Sequence, residues 1–248
     1  MLHPTAIAVI LLSSLLAAPA ANNVPEEALG AVNYEVRYLL GGINTKVAEA
    51  TISLENATRD GQPVLHSHAV ITAQAIFKLF LNSEYIADAY MSPGGEEPIY
   101  SINPIKKGKK EGKFECIYDK KAGTITSEFA KPSAKPVILS LPYDGLTMDM
   151  LSLVQFVRFL DHQKGKSYSM HLLAAGRANP AILTCEGPDK ERFPEKNAVR
   201  YHLSMTERGL MENGSGNEIT VWVSNEKDRR ILGLETALSS GVMSVSVK

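Results

Sequence analysis

The residues best placed for ligand chemistry lie in one largely apolar segment, TMDMLSLVQFVRFL, at positions 147–160. Asp149, Ser152 and Arg158 recur there at multiples of three residues, so they share one narrow polar stripe if the segment is helical. A carboxylate and a guanidinium on such a stripe can hold the polar group of a ligand whose remainder is apolar. The same residues can instead cap the helix and pair with a neighbouring sheet. Asp149 and Arg158 are therefore candidate binding residues, and both interpretations stay open.

Trp222, the only tryptophan of the chain, is the third candidate binding residue. It lies in the middle of a strand-like run, where its large amphipathic ring can contact a ligand on a concave sheet face. A lone tryptophan in such a run more commonly packs in the core. The sequence does not decide between these two roles.

Two histidines suggest the beginning of a metal site. His66 and His68 are two residues apart in a strand-like run, so their side chains point to the same face. Two imidazoles on one face can bind a metal ion, but no third ligand follows at a characteristic spacing. We therefore expect a solvated or cross-strand pair, and we assign no metal ion and no cofactor.

The two cysteines, Cys116 and Cys185, leave two alternatives open. In an oxidising compartment they can form a disulfide, since both lie in strand-like segments. They can equally be two separate buried thiols that behave as small apolar side chains. Neither has a histidine or basic neighbour close in sequence, so a catalytic thiol is not indicated.

No catalytic motif stands out in the sequence. A nucleophile elbow, a P-loop, a dinucleotide-binding glycine motif and a zinc-protease motif are all absent. Asp149 and Ser152 have no nearby histidine that would complete a hydrolytic triad. We therefore expect a protein that is not an enzyme, with an unrecognised type of hydrolase as an alternative.

The composition excludes two classes of protein. Hydrophobic residues make up 44% of the 248 residues, which argues against wholesale disorder. The net charge is −1, whereas a dedicated nucleic-acid binder needs a strong basic excess. A basic tip at 106–113 is interpreted as a solvated hairpin end, with contact to anionic lipid or acidic glycan as the alternative.

The amino terminus predicts export. Residues 5–21 form an apolar run that is too short to span a membrane and ends in small residues at Ala18-Pro19-Ala20. We predict a signal peptide at 1–20 and a single β-rich exported domain at 21–248. The protein is then soluble, periplasmic or associated with the outer envelope, and not an integral membrane protein.

Period-two alternation of apolar and polar residues predicts antiparallel strands through most of the chain. In VAEATISLEN, at 47–56, the alternation places Ile52 and Leu54 on one face with two alanines. The one long helical pattern covers Thr147–His162, with Thr147 as its N-cap. The predicted strands are 33–40, 47–56, 63–72, 83–91, 99–106, 113–119, 124–130, 167–174, 179–186, 198–206, 218–225, 231–238 and 242–247, with a short helix at 73–81 and a connector at 131–145.

The single long helix suggests how the strands are arranged. It is apolar over most of its circumference, and the concave face of a curved sheet needs an apolar cover. We therefore predict a mainly β fold in which a strongly curved antiparallel sheet, an open or partly closed barrel, wraps around one central α-helix.

Three segments resemble one family. They are YEVRYLLGGINTKVAEATISLE, TMDMLSLVQFVRFL and VWVSNEKDRRILGLETALSSGVMSVSV. In order and spacing they resemble the bacterial exported "domain of unknown function 3108" family over about residues 30–248, although Gly233 and the insertion Glu226-Lys227 depart from its pattern. The resemblance implies a periplasmic or envelope β-rich domain without an established activity, so no catalytic residue is transferred.

These observations lead to one expected function and two alternatives. We expect a non-enzymatic exported protein of the cell envelope that binds a hydrophobic or amphipathic ligand in the groove between sheet and helix. A weaker analogy is to the open barrels of periplasmic lipoprotein carriers. The expected partners are lipid, lipoprotein or envelope glycan, without nucleic acid. The alternatives are a structural or assembly partner without a ligand, and the unrecognised hydrolase.

Overall fold

A computed structural model describes residues 24–74, 84–107, 110–143, 146–174, 177–205 and 216–248. In these ranges the chain forms fifteen strands, one α-helix and a short 3₁₀-helix. The signal peptide predicted at 1–20 and nearly all of the short helix predicted at 73–81 lie outside the described residues. The strands are β1 (Gly30–Leu40), β2 (Ile43–Arg59), β3 (Gln62–Ala73), β4 (Glu84–Met91), β5 (Pro98–Lys107), β6 (Lys110–Asp119), β7 (Thr124–Ala130), β8 (Val137–Pro142), β9 (Leu146–Asp149), β10 (Ser167–Ala174), β11 (Arg177–Asp189), β12 (Ala198–Met205), β13 (Glu218–Ser224), β14 (Ile231–Leu238) and β15 (Gly241–Val247); the α-helix is α1 (Met150–Phe159) and the 3₁₀-helix is Glu26–Ala28.

All fifteen strands belong to one sheet. Its order is β8-β7-β6-β5-β4-β3-β2-β1-β15-β14-β13-β12-β11-β10-β9. Strands that follow one another in the chain pair antiparallel, and the antiparallel pair β1 and β15 joins the first strand to the last. The exception is β9, which pairs parallel with β10 because α1 lies between them as a crossover. The prediction of a mainly β, antiparallel fold with one α-helix is confirmed for the described residues.

The connection between β8 and β9 forces the sheet to bend round. These strands occupy the two ends of the sheet order, yet only residues 143–145 separate them in the chain. Their facing ends are therefore no more than about 15 Å apart. Side chains from both halves also meet, since Ile125 of β7 packs in one buried cluster with Leu173 of β10. No ladder joins β8 to β9 among the described residues, so the sheet is not closed.

The hairpins follow directly from local sequence. Between β2 and β3 the pair Arg59 and Gln62 is joined by Asp60 and Gly61, both with positive φ, at 51° and 76°. Positive φ at both central residues is the geometry of a type I′ turn, whose twist matches that of the flanking strands. This turn sets the register in which β2 and β3 pair.

The α-helix is shorter than predicted at both ends. Thr147 is not its N-cap, because Thr147 pairs with His171 in the β9–β10 ladder and is extended. Asp149 caps the helix instead, and its side chain accepts hydrogen bonds from the backbone N–H groups of Leu151 and Ser152. The helix ends at Phe159 rather than His162, because the backbone turns extended at the next residue.

An arginine from another part of the chain completes the carboxyl end of α1. Arg229 donates to the carbonyl oxygens of Arg158 and Leu160, each at 3.2 Å. These carbonyls have no partner within the helix, so the guanidinium supplies hydrogen bonds that a cap residue otherwise would.

The helix is buried against the sheet. Every residue from Leu151 to Arg158 is buried, including the polar Ser152, Gln155 and Arg158. The helix contacts strands β3, β4, β9, β10 and β13. Of the helices in the described ranges, none has the length and apolar character that crossing a membrane requires.

Candidate functional site

An apolar cavity of about 220 Å³ lies between the first turns of α1 and the inner face of the sheet. We call it the helix cavity. The helix contributes Met150, Leu151 and Val154 to its wall, and strands β1 to β4 and β13 to β15 contribute the remainder. Its wall is almost wholly apolar, so water gains few hydrogen bonds there.

Small side chains create this space. Ala69 of β3 and Ala87 of β4 are cross-strand partners on the inner face, and Leu151 of the helix packs against both. Ala50 of β2 adds a third alanine to the wall. Because an alanine side chain is a single methyl group, these three strands leave the space between the sheet and the helix unfilled.

A second space of about 440 Å³, which we call the side groove, adjoins the helix cavity. The ladder between β4 and β5 extends only to the pair Asp88 and Ile102, and beyond it these two strands do not pair. The groove lies at this divergence. Tyr85, Ala87, Met150 and Leu151 line both spaces, so a ligand can extend from one into the other.

Asp149 lies in the wall of the side groove. Its carboxylate is already hydrogen-bonded within the protein. Oδ1 accepts from two backbone N–H groups of α1 at 3.0 and 3.1 Å, and Oδ2 accepts from the Ser152 hydroxyl at 2.5 Å. Helix capping is therefore the role that its contacts support.

Arg158 lies near the opposite end of the helix and lines neither space. Its guanidinium donates to the carbonyl oxygens of Ala28 at 2.6 Å, Arg229 at 2.8 Å and Asp228 at 3.3 Å. Burial lowers the pKa of Arg158 to about 10, which still leaves it charged at neutral pH. These bonds tie the helix to the 3₁₀-helix and to the β13–β14 turn, and they leave little of the guanidinium for a ligand.

Trp222 lies on the other face of the sheet from the helix. Its neighbours Ile219 and Val221 on β13 belong to the central core, whereas Trp222 packs in a separate cluster with Leu232. Its indole Nε1 donates to Asp189 at 2.8 Å. Trp222 lines neither the helix cavity nor the side groove, because alternation along β13 turns it away from them.

The Trp222 cluster also explains why glycine occupies position 233, where this chain departs from the pattern of the family that it resembles. Gly233 is the cross-strand partner of Trp222, and a Cβ atom there would lie 2.9 Å from the ring of Phe193. That ring stands at 66° to the indole of Trp222, with 6.0 Å between the centroids. Glycine leaves the room that this aromatic pair occupies.

A series of hydrogen bonds between polar groups, which the sequence did not predict, runs from the helix into the sheet. Gln155 donates to the Ser67 hydroxyl at 2.8 Å and accepts from Arg158 at 2.7 Å. Ser67 in turn donates to the Ser53 carbonyl at 3.1 Å. Gln155 lies three residues from both Ser152 and Arg158, so its position on the polar stripe was the available signal, but nothing in the sequence places Ser67 opposite it.

The cysteines are free, so the structure corresponds to two separate thiols and not to a disulfide. Cys116 packs in the cluster that joins the two halves of the sheet, whereas Cys185 belongs to the central core. Burial raises the pKa of the Cys116 thiol to about 12, and this thiol donates to the Ser127 hydroxyl at 3.6 Å. The predicted histidine pair, His66 and His68, lies on the outer face of β3, away from both spaces.

Comparison with known proteins places the chain in a family. Residues 33–245 match the family model described as "Protein of unknown function (DUF3108)". No functionally curated protein matches. The fold is similar to that in the crystal structure of a beta-barrel-like protein of domain of unknown function DUF1849 from Brucella abortus, with a TM-score of 0.53, 10% identity, and coverage of 91% of this chain and 97% of that chain. At this identity the likeness is one of fold alone. Because the family model spans most of the sequence, this chain belongs to the DUF3108 family of proteins of unknown function.

Proposed function

We propose that this chain is a non-enzymatic, exported protein of the cell envelope that holds an apolar or amphipathic molecule, such as an acyl chain, in the helix cavity and the side groove. The observation that carries the proposal is the helix cavity itself, an apolar space left open by alanines on the inner face of β2 to β4. The barrel-like fold of the DUF1849 protein is consistent with such an interior.

In this proposal the curved sheet encloses α1. The burial of the helix from Leu151 to Arg158 supports enclosure, as does the cluster that joins Ile125 of β7 to Leu173 of β10. An enclosed helix gives the cavity one rigid wall, and the surrounding sheet gives it the others. A ligand site between rigid elements needs little reorganisation on binding.

Burial of apolar surface would provide the affinity. An apolar wall offers water few hydrogen bonds, and it lacks the dispersion contacts that a ligand would restore. Each methylene group that enters contributes about 0.8 kcal/mol. The side groove, at the divergence of β4 and β5, would admit the remainder of a longer ligand.

The polar groups around both spaces favour binding over catalysis. Among the described residues, neither wall contains a histidine, a cysteine, a lysine or an arginine. Asp149 and Ser152 form a pair at 2.5 Å, but the carboxylate also caps the helix, so it is poorly placed to take a proton from the hydroxyl during a reaction.

Native mass spectrometry tests the binding proposal. The protein is purified from its own envelope, and any bound molecule is released and identified. We expect an acyl-chain compound on the natural sequence and its loss in Ala69→Leu and Ala87→Leu, which fill the cavity. Ala57→Leu is the matched control, because Ala57 is on β2 but lines neither space. Equal lipid content in all four proteins would contradict the proposal.

Export is tested separately, because a cytoplasmic protein could bind the same ligand. Osmotic release of the periplasm, followed by intact-mass measurement, should find a chain that begins near Ala21. A chain that retains residues 1–20 and stays in the cytoplasmic fraction would contradict export.

An assembly role is the second candidate function, favoured by β8. Among the described strands this edge strand pairs only with β7, and its Val137 and Ile138 are 47% and 63% exposed. A partner strand that adds to this edge would pair its backbone and cover both side chains. Hydrogen exchange at residues 137–142 should then be slower in the intact envelope than in the purified protein.

A further inference from the structure

A cluster of potential metal ligands lies on the outer face of the sheet, on the far side of β3 and β4 from the helix cavity. In the β3–β4 ladder His68 is directly opposite Asp88, and His66 precedes His68 by two residues on the same face. In the β2–β3 ladder Glu55 is directly opposite His66. Strand register thus gathers two imidazoles and two carboxylates in one place.

The ligand atoms converge on a common point. Asp88 Oδ1 lies 2.8 Å from His66 Nε2 and 2.8 Å from His68 Nδ1. These three atoms all lie within 4.8 Å of one another. Ligand atoms around a zinc ion are roughly 3–3.5 Å apart, so small side-chain rotations bring all three into coordination distance.

The remaining ring nitrogen of His66 has its own partner. Glu55 Oε1 lies 3.0 Å from His66 Nδ1, and Asp88 Oδ1 lies 2.8 Å from His66 Nε2, so each ring nitrogen faces a carboxylate oxygen. When a metal ion replaces the proton between Nε2 and Asp88, Nδ1–H still donates to Glu55. A carboxylate behind a ligating imidazole is the usual way in which proteins fix the tautomer and orientation of a metal ligand.

Aromatic packing further restrains His66. The ring of Tyr90 stacks on His66, with 4.4 Å between the centroids and 9° between the planes. Arg59 lies over the rings of Tyr90 and Tyr100, at 4.8 and 3.8 Å from their centroids. His66 is therefore held from two sides before any ion binds, which reduces the entropy lost on coordination.

We propose that His66, His68 and Asp88 bind one divalent transition-metal ion of the zinc class, with Glu55 as the positioning residue for His66. The sequence assigned no metal because it lacked a third ligand at a regular spacing, and β4 supplies that ligand across the ladder. The side chains of His66, Asp88 and His68 are 17%, 23% and 41% exposed. Three protein ligands on a half-exposed face leave further coordination positions for water or for a donor from another molecule.

Zinc titration tests the site. The full chain, purified without a polyhistidine tag and treated with a chelator, is titrated with ZnCl₂ in competition with a coloured zinc indicator. We expect one saturable ion per chain, and at least a tenfold weaker affinity in His68→Ala and in Asp88→Asn. Glu55→Gln should weaken binding by about 10–100-fold, as loss of an outer-shell carboxylate typically does. The absorption spectrum of bound Co²⁺ depends on the geometry of its ligands. A spectrum that changes in Glu55→Gln therefore shows that Glu55 positions His66 and does not act through its charge alone.

His202→Ala is the matched control. His202 pairs with Glu218 on another part of the outer face, and among the described residues it is a partly exposed histidine with one carboxylate partner. Its removal should leave the affinity and the stoichiometry unchanged. Circular dichroism shows whether each variant folds. Absence of saturable binding at micromolar zinc, or an affinity in His68→Ala and Asp88→Asn equal to that of the natural sequence, overturns the proposal. None of His66, His68 and Asp88 lines the helix cavity, so zinc binding can fail while ligand binding there holds; of the three, Asp88 alone lines the side groove.

Discussion

The hydroxyl of Tyr118 and Asp149 form a reciprocal pair across the interior. The hydroxyl accepts from the backbone N–H of Asp149 at 3.0 Å and lies 3.4 Å from its carboxylate Oδ2, to which it donates. Tyr118 belongs to β6, near one end of the sheet, and Asp149 ends β9, at the other. One side chain thus connects the two ends of the sheet and supports the first turn of α1.

We expect Tyr118→Phe to lower the free energy of unfolding by about 1–2 kcal/mol, because the Asp149 N–H loses its buried acceptor. Asp149→Ala should cost about 2 kcal/mol or more, since the helix also loses its cap. Urea denaturation of both single variants and of the double variant measures the coupling. Strictly additive losses would mean that the two residues do not interact.

Asp119→Ala is the control for these variants. Asp119 accepts from the backbone N–H of Ala122 in the exposed β6–β7 turn, so it makes a comparable bond in water. Its loss should cost only about 0.5 kcal/mol.

Arg158→Met should be one of the more destabilising single changes, at about 3 kcal/mol, because the buried carbonyl of Ala28 and the part-buried carbonyls of Asp228 and Arg229 lose their donor. The segment before β1 should also become accessible to protease, since Ala28 is one of its anchors. Limited proteolysis followed by mass spectrometry detects cleavage near residues 24–29. An unchanged cleavage pattern would show that Arg158 does not hold this segment.

Thiol labelling distinguishes free cysteines from a disulfide. Because Cys116 and Cys185 are buried and the pKa of Cys116 is raised to about 12, the folded protein should react slowly with Ellman's reagent at pH 8. In denaturant without a reductant, both thiols should react at once. If no thiol is detected in the denatured protein, the cysteines are paired.

His162 should make stability depend on pH. Burial, and secondarily the nearby positive charge of Arg229, lower the pKa of His162 from 6.5 to about 4. The unfolded chain therefore takes up this proton at a higher pH than the folded chain. The stability that neutral His162 contributes is complete above about pH 6.5 and is lost as the pH falls towards 4.

The urea concentration at the unfolding midpoint should accordingly decrease as the pH is lowered from 7 to 4.5. It should decrease less in His162→Gln, because the glutamine side chain does not titrate. His171→Gln is the control, because His171 is exposed on β10. If His162→Gln has the same pH dependence as the natural protein, another group is responsible.

The alternation of apolar and polar residues, with a period of two, predicted most of the strands from the sequence. The predicted bounds of β10 (Ser167–Ala174) and β14 (Ile231–Leu238) match the structure. β10 alternates between exposed and buried positions for most of its length, whereas β14 begins with three consecutive buried residues. β8 was missed, since its sequence VILSLP begins with three consecutive apolar residues and does not alternate, and only Leu139 and Leu141 are partly buried. Thr147 was misassigned as a helix cap because threonine suits both a cap and a strand, and only the ladder with β10 decides between them.

By itself the sequence determined which side chains share a face, because alternation depends only on neighbours along the chain. It therefore found His66 and His68 on one side of β3, and an apolar helix that needed a sheet. The tertiary structure alone decided which strands lie side by side. Strand pairing brought Asp88 to the two histidines, placed Ala69 beside Ala87 below the helix, and turned Trp222 away from it. Such neighbours arise from contacts between residues far apart in the chain, and no local pattern records them.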